Sequence, residues 1–558
     1  MDTDAFPTSS LHPFVAASLA AQGYDESNYN LALAPNYARD RHDPFLMRDM
    51  HKAVARIAQA IANHESILLI SDFDVDGVTA SLISNAGLQA AGVPANRIGT
   101  RIPDRFSEGY GLSEKILREA KEQGYQIAIT LDIGINSHKE ATLAKDLGID
   151  LIICDHHLPD GEDVPADAYA VLCPKGSAGL DYPNKDLAAC GVALKFAEAL
   201  LKAHPSRHRI IESLLKMAAL GTVADMVSLS GLENRAIVAH GLDLLSANCT
   251  NQGLQALLDV CGITGQLKAS DVGFKIGPRI NAAGRIHHAY DAIHLFSAKT
   301  ATEAKQAATV LDNLNTERKE LQERLVETIL NELTNLTTLP PVLLFAGPHP
   351  LYHQGVLGIV CTRIAQETNR PVFIGSINAA GSIHGSARGI PGFHIVEAMR
   401  STGDVLIKCG GHPAAGGFTL SQENLNEFQV RLNRYAESQP ASLPFPELNL
   451  DFEVGISEVT QRFLLEMSQL EPHGMGNPAP TFAINNLMLQ SMRVMKEKHL
   501  RLVFTDGDAT ITALWWNAAQ HADAIESATI LHIAGRPEIN EWAGKRLVQF
   551  MITDIEIG

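Results

Sequence analysis

Cysteine is scarce, with seven in 558 residues. They stand alone at 154, 173, 190, 249, 261, 361 and 409, never as a Cys-x-x-Cys pair. An odd, dispersed set excludes a disulfide framework and a zinc ribbon, and it makes a reducing cytoplasm the expected compartment. No apolar run is long enough to span a bilayer, so no membrane association is expected. The opening Met1-Asp2-Thr3-Asp4 has neither the basic start nor the apolar stretch of a secretory signal. No internal repeat, low-complexity block or Walker A string occurs, which argues against a solenoid and an ATP-driven motor. Positive charge is also in deficit, 45 Lys and Arg against 63 Asp and Glu, for a net −18. That excludes a protein that coats nucleic acid by bulk charge, and it raises the prospect of carboxylates gathered around metal. What remains is ordinary globular material: 46% hydrophobic, 43 glycines and 26 prolines. The length predicts three to four domains.

Residues 1–50, broken by Pro7, Pro13, Pro35 and Pro44, read as an irregular extension with short helices. From about His51, short apolar runs at 67–70, 127–131 and 151–154 alternate with helical stretches. That rhythm predicts an α/β domain over 51–298 with a mainly parallel sheet. Between 299 and 338, leucines and isoleucines recur every three to four residues with charges between them. A helix of this length, about 50 Å, either joins two lobes or edges a bundle. After Pro340-Pro341 a second, smaller α/β unit follows over 339–440. Proline-rich text near 439–448 leads into β-type runs at 500–504, 510–516, 530–534 and 546–552, which predict a small antiparallel barrel over 447–558.

The most informative string is Asp72-Phe73-Asp74-Val75-Asp76-Gly77, directly after a buried strand. Ligand sites on open α/β sheets lie beyond strand carboxyl ends, and Gly77 is expected to turn the chain into a helix from Val78. Three crowded carboxylates repel unless a cation sits among them. The spacing also opens an EF-hand loop, but its twelfth position is Ile83 and a strand precedes it, so that reading fails. Asp132 follows the second apolar run, Asp155-His156-His157 the third, and Asp225 ends the apolar stretch 214–224. Oxygen ligands with imidazole suit Mn²⁺ or Mg²⁺. Five aspartates and a histidine exceed one ion's needs and suit a pair about 3.5–4 Å apart, as in phosphoryl hydrolysis. Cys154 reads as a small buried apolar residue.

These four ordered segments resemble the motifs of the DHH phosphoesterase superfamily. Cys409-Gly410-Gly411-His412-Pro413-Ala414-Ala415-Gly416-Gly417 resembles the glycine-rich signature of the DHHA1 domain. Further strings bring the chain closer to the RecJ single-strand-specific exonucleases: Arg105 through Gly109-Tyr110-Gly111, Gly277 through Arg285, His353 through Gly358, and Gly385-Ser386-Ala387-Arg388. The resemblance implies a DHH parallel-sheet domain, a long connecting helix, a DHHA1 domain and a C-terminal barrel of the OB type. It implies two divalent ions, Mn²⁺ or Mg²⁺, bridged by Asp132. Asp72 and Asp74 would serve one ion, and Asp76, His156 and Asp225 the other. Related pyrophosphatases place a histidine where Ile70 stands, and Asp72 is the natural replacement. His157 would orient the scissile phosphate or protonate the leaving oxygen, so Asp132, His156, His157 and Asp76 form the expected catalytic set.

Arg279 and Arg285 could reach the same groove, with Asn281 hydrogen-bonding between them, and the resemblance assigns the 5′ end to Arg279, Ser386 and Arg388. Arg105 and Tyr110 would grip the backbone and stack a base, although Tyr110 also reads as a plain loop aromatic. Gly410, Gly411 and His412, together with His353, would offer amides and imidazole to phosphate, or simply form glycine turns around a structural histidine. In the barrel, Lys498, Arg501, Lys545 and Arg546 could face a strand, while Trp515, Trp516 and Trp542 serve stacking or packing. Gly474-Met475-Gly476-Asn477 imitates a dinucleotide fingerprint, but Pro478 and Pro480 forbid the helix such a loop must open. The expected activity is 5′→3′ degradation of single-stranded DNA to mononucleotides in repair and recombination. A monomer is expected, accompanied by single-strand binding protein and a helicase. The alternatives are a DHH phosphodiesterase acting on short oligoribonucleotides or cyclic dinucleotides, and a metal-stabilised binding protein without turnover.

Overall fold

A computed structural model describes residues 11–106, 108–109, 111–161, 163–179, 181–247, 249–439, 447–542 and 545–558. The first lobe is a parallel sheet of β1 (Ile67–Ser71), β2 (Ile98–Arg101), β3 (Ile127–Leu131), β4 (Asp150–Cys154) and β5 (Ala170–Leu172), in the order β2-β1-β3-β4-β5. Both faces of β1 and β3 are buried, which is why these strands read as continuous apolar runs rather than alternating ones. The register sets Ser71 opposite Leu131, and Leu131 opposite Cys154, so three strands end level. The next residue on each prolongs the ladder: the amides of Asp72, Asp132 and Asp155 donate to the carbonyls of Leu131, Cys154 and Leu172. Three carboxylates are therefore carried side by side along one sheet edge by backbone pairing alone.

Helices complete this lobe, among them Val75–Ala91, Ala189–Leu200, Arg207–Ala224 and Gly277–Ile286. The Ala301–Thr334 helix has 34 residues and starts with a Thr300–Glu303 capping box. Its Ala308 and Leu311 pack into the helical part of the first lobe, and Leu325, Val326, Ile329 and Leu333 into the second. It both edges a helical bundle and joins two lobes, so the two sequence readings describe its two halves.

The second lobe is a sheet of β6 (Leu343–Pro348), β7 (Val372–Ile377), β8 (Ser382–Arg388), β9 (Leu406–His412) and β10 (Ala415–Ser421), ordered β6-β7-β8-β10-β9. The C-terminal unit comprises β11 (Phe452–Glu453), β12 (Phe482–Met495), β13 (His499–Thr505), β14 (Thr510–Trp515), β15 (Leu531–Trp542) and β16 (Lys545–Ile557). It closes on itself through β12–β15 pairing. The barrel is not wholly antiparallel, because β11–β12 and β14–β16 run parallel.

The segment before residue 51 is divided between two cores. Val15, Leu19, Tyr29 and Ala32 pack into the barrel, whereas Tyr37, Met47 and Met50 enter the first lobe. Its proline breaks separate short helices that have apolar faces to bury, so the segment bridges domains instead of standing apart. Among the described residues no helix is long and apolar enough to cross a membrane.

Candidate metal centre and strand-binding cleft

Asp74 is the N-cap of the Val75–Ala91 helix, its Oδ1 accepting from the Gly77 amide at 3.1 Å. The helix thus begins at Val75, not Val78, because Asp74 satisfies its first turn. Gly77 lies inside that turn, and a Cβ there would sit 2.5 Å from the Asp72 carbonyl oxygen. Glycine is required for close approach to the aspartate loop rather than to turn the chain. Asn281 does not bridge two arginines: its Oδ1 accepts from the Val75 amide at 3.0 Å and pins the helix start. Asp76 accepts from the amides of Ala189 and Cys190 at 2.7 and 2.8 Å. The Ala189–Leu200 helix has only Ala188 as its own cap, so Asp76 caps it from across the lobe.

Asp132 takes φ +65°, a left-handed backbone that few residues other than glycine adopt, and it points to a functional constraint. Asp225 follows the Arg207–Ala224 helix, not a strand, so sheet and helix ends both feed the site. Asp155 is consumed in orienting its loop. It accepts from the amides of Ile135, His156 and His157 and is 2.8 Å from His157 Nδ1. Ile70, at the position of the pyrophosphatase histidine, is fully buried in β1.

The remaining donors fall into overlapping groups whose ligand atoms lie within 4.8 Å of one another: Asp72, Asp74 and Asp132; Asp76, His156 and Asp225; and Asp132, His156 and His157. His156 Nε2 lies 3.3 Å from Asp132 Oδ1, 3.4 Å from Asp225 Oδ2 and 4.0 Å from Asp76 Oδ2, yet among the described residues neither ring nitrogen makes a hydrogen bond. Burial holds this imidazole neutral, with a pKa of about 4. Burial, followed by mutual repulsion, raises Asp72 and Asp132 well above the usual carboxylate range and Asp225 to about 8. Lone pairs facing lone pairs in a buried pocket are relieved by a proton or by a cation, and the donor chemistry fits Mn²⁺ or Mg²⁺. His157 differs. Burial lowers its pKa, but the Asp155 hydrogen bond and charge, with Asp225 and Asp72, lift it to about 9.

Opposite the acids stand arginines. Arg105 lies over the Phe73 ring at 4.6 Å. Arg285 has its pKa lowered to about 10 by burial, then by repulsion from Arg105 and Arg318, while Asp74 attracts it. Arg285 and Arg388 line a cleft of about 450 Å³ with Gln322, Gly358 and Thr362. Ser386 sits two residues before Arg388 on β8, opposite Gly417. Gly410, Gly411 and His412 end the exposed edge strand β9, paired with Gly417, Gly416 and Ala415. His353 caps the Gln354–Thr368 helix, and the charge of Arg105 reaches it. Arg279 is not brought into this group: it pairs with Asp312 of the long helix at 2.9 Å. Tyr110 and the side chains of Trp542 and Lys545 lie outside the described residues.

Two cations escaped the sequence reading. Arg318 looked like one more charge on a long helix. Lys175 follows β5, and the strand-end rule used for the aspartates marks it equally well. Its charge acts on both His156 and Asp225, and its loop is pinned to the histidine loop: the Lys175 amide donates to Cys173 Sγ, which contacts the His157 carbonyl.

Comparison with known proteins follows this geometry. Residues 66–222 match the DHH family, N-terminal domain; residues 341–438 the DHHA1 domain; and residues 450–554 the RecJ OB domain. The chain is 35% identical to the single-stranded-DNA-specific exonuclease RecJ of Bacillus subtilis (strain 168), over 99% of this chain and 69% of that protein. It is 34% identical to the protein of the same name from Salmonella typhimurium, over 90% of this chain and 89% of the relative. The crystal structure of Thermus thermophilus RecJ in complex with Mn²⁺ superposes with a TM-score of 0.82 at 28% identity, covering 98% of this chain and 76% of that one. The Mg²⁺ complex of the same protein gives 0.75 at 27% identity, covering 98% and 75%.

Proposed function

The chain belongs to the RecJ family of single-stranded-DNA-specific exonucleases, and from that premise we propose how its own residues divide the work. It is a metal-dependent hydrolase of phosphodiester bonds in single-stranded DNA, using Mn²⁺ or Mg²⁺. The observation that carries the reading is the pair of donor sets, Asp72–Asp74–Asp132 and Asp76–His156–Asp225, meeting where His156 Nε2 comes within 3.3 Å of Asp132. Asp132 bridges the two positions. The ions, when bound, lower the pKa of a water and neutralise charge developing on the phosphate.

The protein's residues do the rest. His157, held by Asp155 and protonated at neutral pH, donates its proton to the leaving 3′ oxygen. Arg105 and Lys175 hold non-bridging oxygens from two sides of the acid cluster. Arg285 and Arg388, with Ser386, take the 5′ end in the cleft beside the long helix, which gives 5′→3′ polarity and mononucleotide products. Arg279 acts one step back, fixing the Gly277–Ile286 helix to the long helix through Asp312. Glycine amides and His412 on β9, with His353, flank the strand, and the barrel holds its 3′ portion. An oligoribonucleotide or cyclic-dinucleotide phosphodiesterase would have no use for that barrel. The protein acts as a monomer in the cytoplasm on strands exposed by a helicase and covered by single-strand binding protein.

The test uses 5′- and 3′-labelled single strands, duplex, short RNA and cyclic dinucleotide, with Mn²⁺ or EDTA. Immediate mononucleotide release from the 5′ label alone, and only with metal, is expected. Release first from the 3′ label, or turnover confined to di- or trinucleotides, overturns the assignment.

A further inference from the structure

The turn formed by 474–477 has no place in the chemistry above, yet its position ties it to one metal ligand. Three residues after Asp225 begins a loop, 228–231, that the barrel grips. The Leu229 amide donates to the Met475 carbonyl at 2.7 Å. A Cβ on Gly474 would sit 2.7 Å from Leu229 Cδ1, and one on Gly476 only 2.3 Å from Ser228 Oγ. Gly476 also has φ +72°, so glycine is needed there twice over. The turn itself is rigid. Asn477 is fully buried, its Nδ2 donating to the carbonyls of Leu470 and Pro472 at 2.9 and 2.8 Å. Its backbone pairs with Gly474 in both directions, and its Oδ1 accepts from Gln22, which in turn accepts from Arg235 of the first lobe. On the ligand side, slack is small. Asp225 ends its helix, Met226 takes φ +59°, and the Ser228 carbonyl accepts from Asn234 at 2.9 Å. The barrel thus fixes where the chain leaves Asp225.

We propose that the Gly474–Asn477 turn is a positioning element for the Asp225 carboxylate, so that docking of the barrel sets the affinity of the cation held by Asp76, His156 and Asp225. The proposal rests on Asp225 being a ligand. Groups that orient metal ligands typically change affinity by about 10–100-fold when altered. By linkage, DNA that holds the barrel on the first lobe tightens the metal, and the metal tightens DNA.

The test measures Mn²⁺ binding to the full-length protein without DNA, by the electron paramagnetic resonance signal of free Mn²⁺. Gly476→Ala is expected to weaken one of the two bound ions about tenfold while the metal-free melting temperature stays within a few degrees. Adding Ser228→Gly, which clears the obstructing side chain but leaves the positive φ, is expected to recover part of the loss. In an Asp225→Asn background, Gly476→Ala is expected to cost nothing further. Asn477→Ala provides the same comparison if Gly476→Ala does not fold. Wild-type Mn²⁺ affinity in a folded turn variant, or an equal loss with and without Asp225, overturns the proposal. If Asp225→Asn itself leaves Mn²⁺ binding unchanged, the ligand assignment fails instead.

Discussion

On the sheet side of the cleft, buried carboxylates crowd around His156 and His157. Asp72, Asp76 and Asp132 are at most 8% exposed, and each is held by backbone pairing or by amides that it caps. On the opposite side, Arg105, Arg318 and Arg388 each repel Arg285, but the four come from a loop, two helices and a strand end. Neither wall is fully neutralised: His157 and Arg105 only partly offset Asp72, and Asp74 only partly offsets Arg285. A cation relieves the first and a phosphate the second, so the two ligands of a phosphodiester hydrolase are written into opposite frustrations. The walls differ in rigidity of assignment. The acid wall is fixed by three level strands, whereas the arginine wall depends on how the long helix and second lobe lie against the first.

The sharpest break of this comparison is Asp132→Asn. Asparagine tolerates the left-handed backbone, so the fold is kept while the shared ligand is lost. Steady-state kinetics with Mn²⁺ are expected to show a drop of at least roughly 10³-fold in kcat, on the order of 4 kcal/mol. The metal-free variant is expected to melt a few °C higher than wild type, because one repelling carboxylate is gone. A variant that loses activity and also stability would mean that Asp132 is structural.

Arg388→Ala tests the other wall. Removing it is expected to raise KM for 5′-phosphorylated strands about 10–100-fold with kcat nearly unchanged, since the contact is made equally before and during hydrolysis. It also relieves repulsion on Arg285, so stability should not fall. A kcat effect without a KM effect would move Arg388 from the 5′ end to the reacting phosphate. Lys175→Gln is milder, at roughly tenfold in kcat/KM, and it should reduce the slope of log affinity against log salt by about one. An unchanged slope would leave Lys175 as a loop residue.

How much of this was legible follows the same division. The parallel sheet, the long helix and the acid cluster could be read because each rests on local rules: apolar strand, following aspartate, level ends. In the structure Asp72, Asp74 and Asp132 come near one another, as do Asp76, His156 and Asp225, and a third group of Asp132, His156 and His157 overlaps both. What sequence could not supply was tertiary. Asn281 reads as a polar residue between arginines, yet it anchors the helix carrying Asp76. Arg279 and Arg285, six residues apart on nearly two helical turns, face different neighbours, one Asp312 and the other Arg388. The N-terminal helices were hidden because their apolar faces are short and are completed by the barrel more than 400 residues later. Lys175 was missed because β5, at three residues, is too short to be recognised as a strand, so the strand-end rule was not applied to it.

The smallest effect sharpens the comparison through pH. Asp225 is raised from 3.8 to about 8 by burial and by Asp76 and Asp74. Between those values the metal-free folded protein keeps a proton that the unfolded chain has released. The stabilisation is complete below about pH 4 and is lost as pH rises through about 8. His157, raised from 6.5 to about 9, acts with the same sign between those values. His156, lowered from 6.5 to about 4, acts with the opposite sign, but its window closes at 6.5. Above 6.5 the signs therefore agree, and the melting temperature in EDTA is expected to fall by a few °C between pH 6.5 and 8.5. Saturating Mg²⁺ is expected to remove the Asp225 part of the fall, because a bound cation takes the place of that proton, and to leave the His157 part. Among the described residues no acid cluster lies on the arginine wall, so Arg388→Ala should leave this profile untouched while Asp225→Asn makes it shallower. A flat EDTA profile in the wild-type protein would mean that the carboxylates are less frustrated than their crowding implies, and the contrast between the walls would be lost.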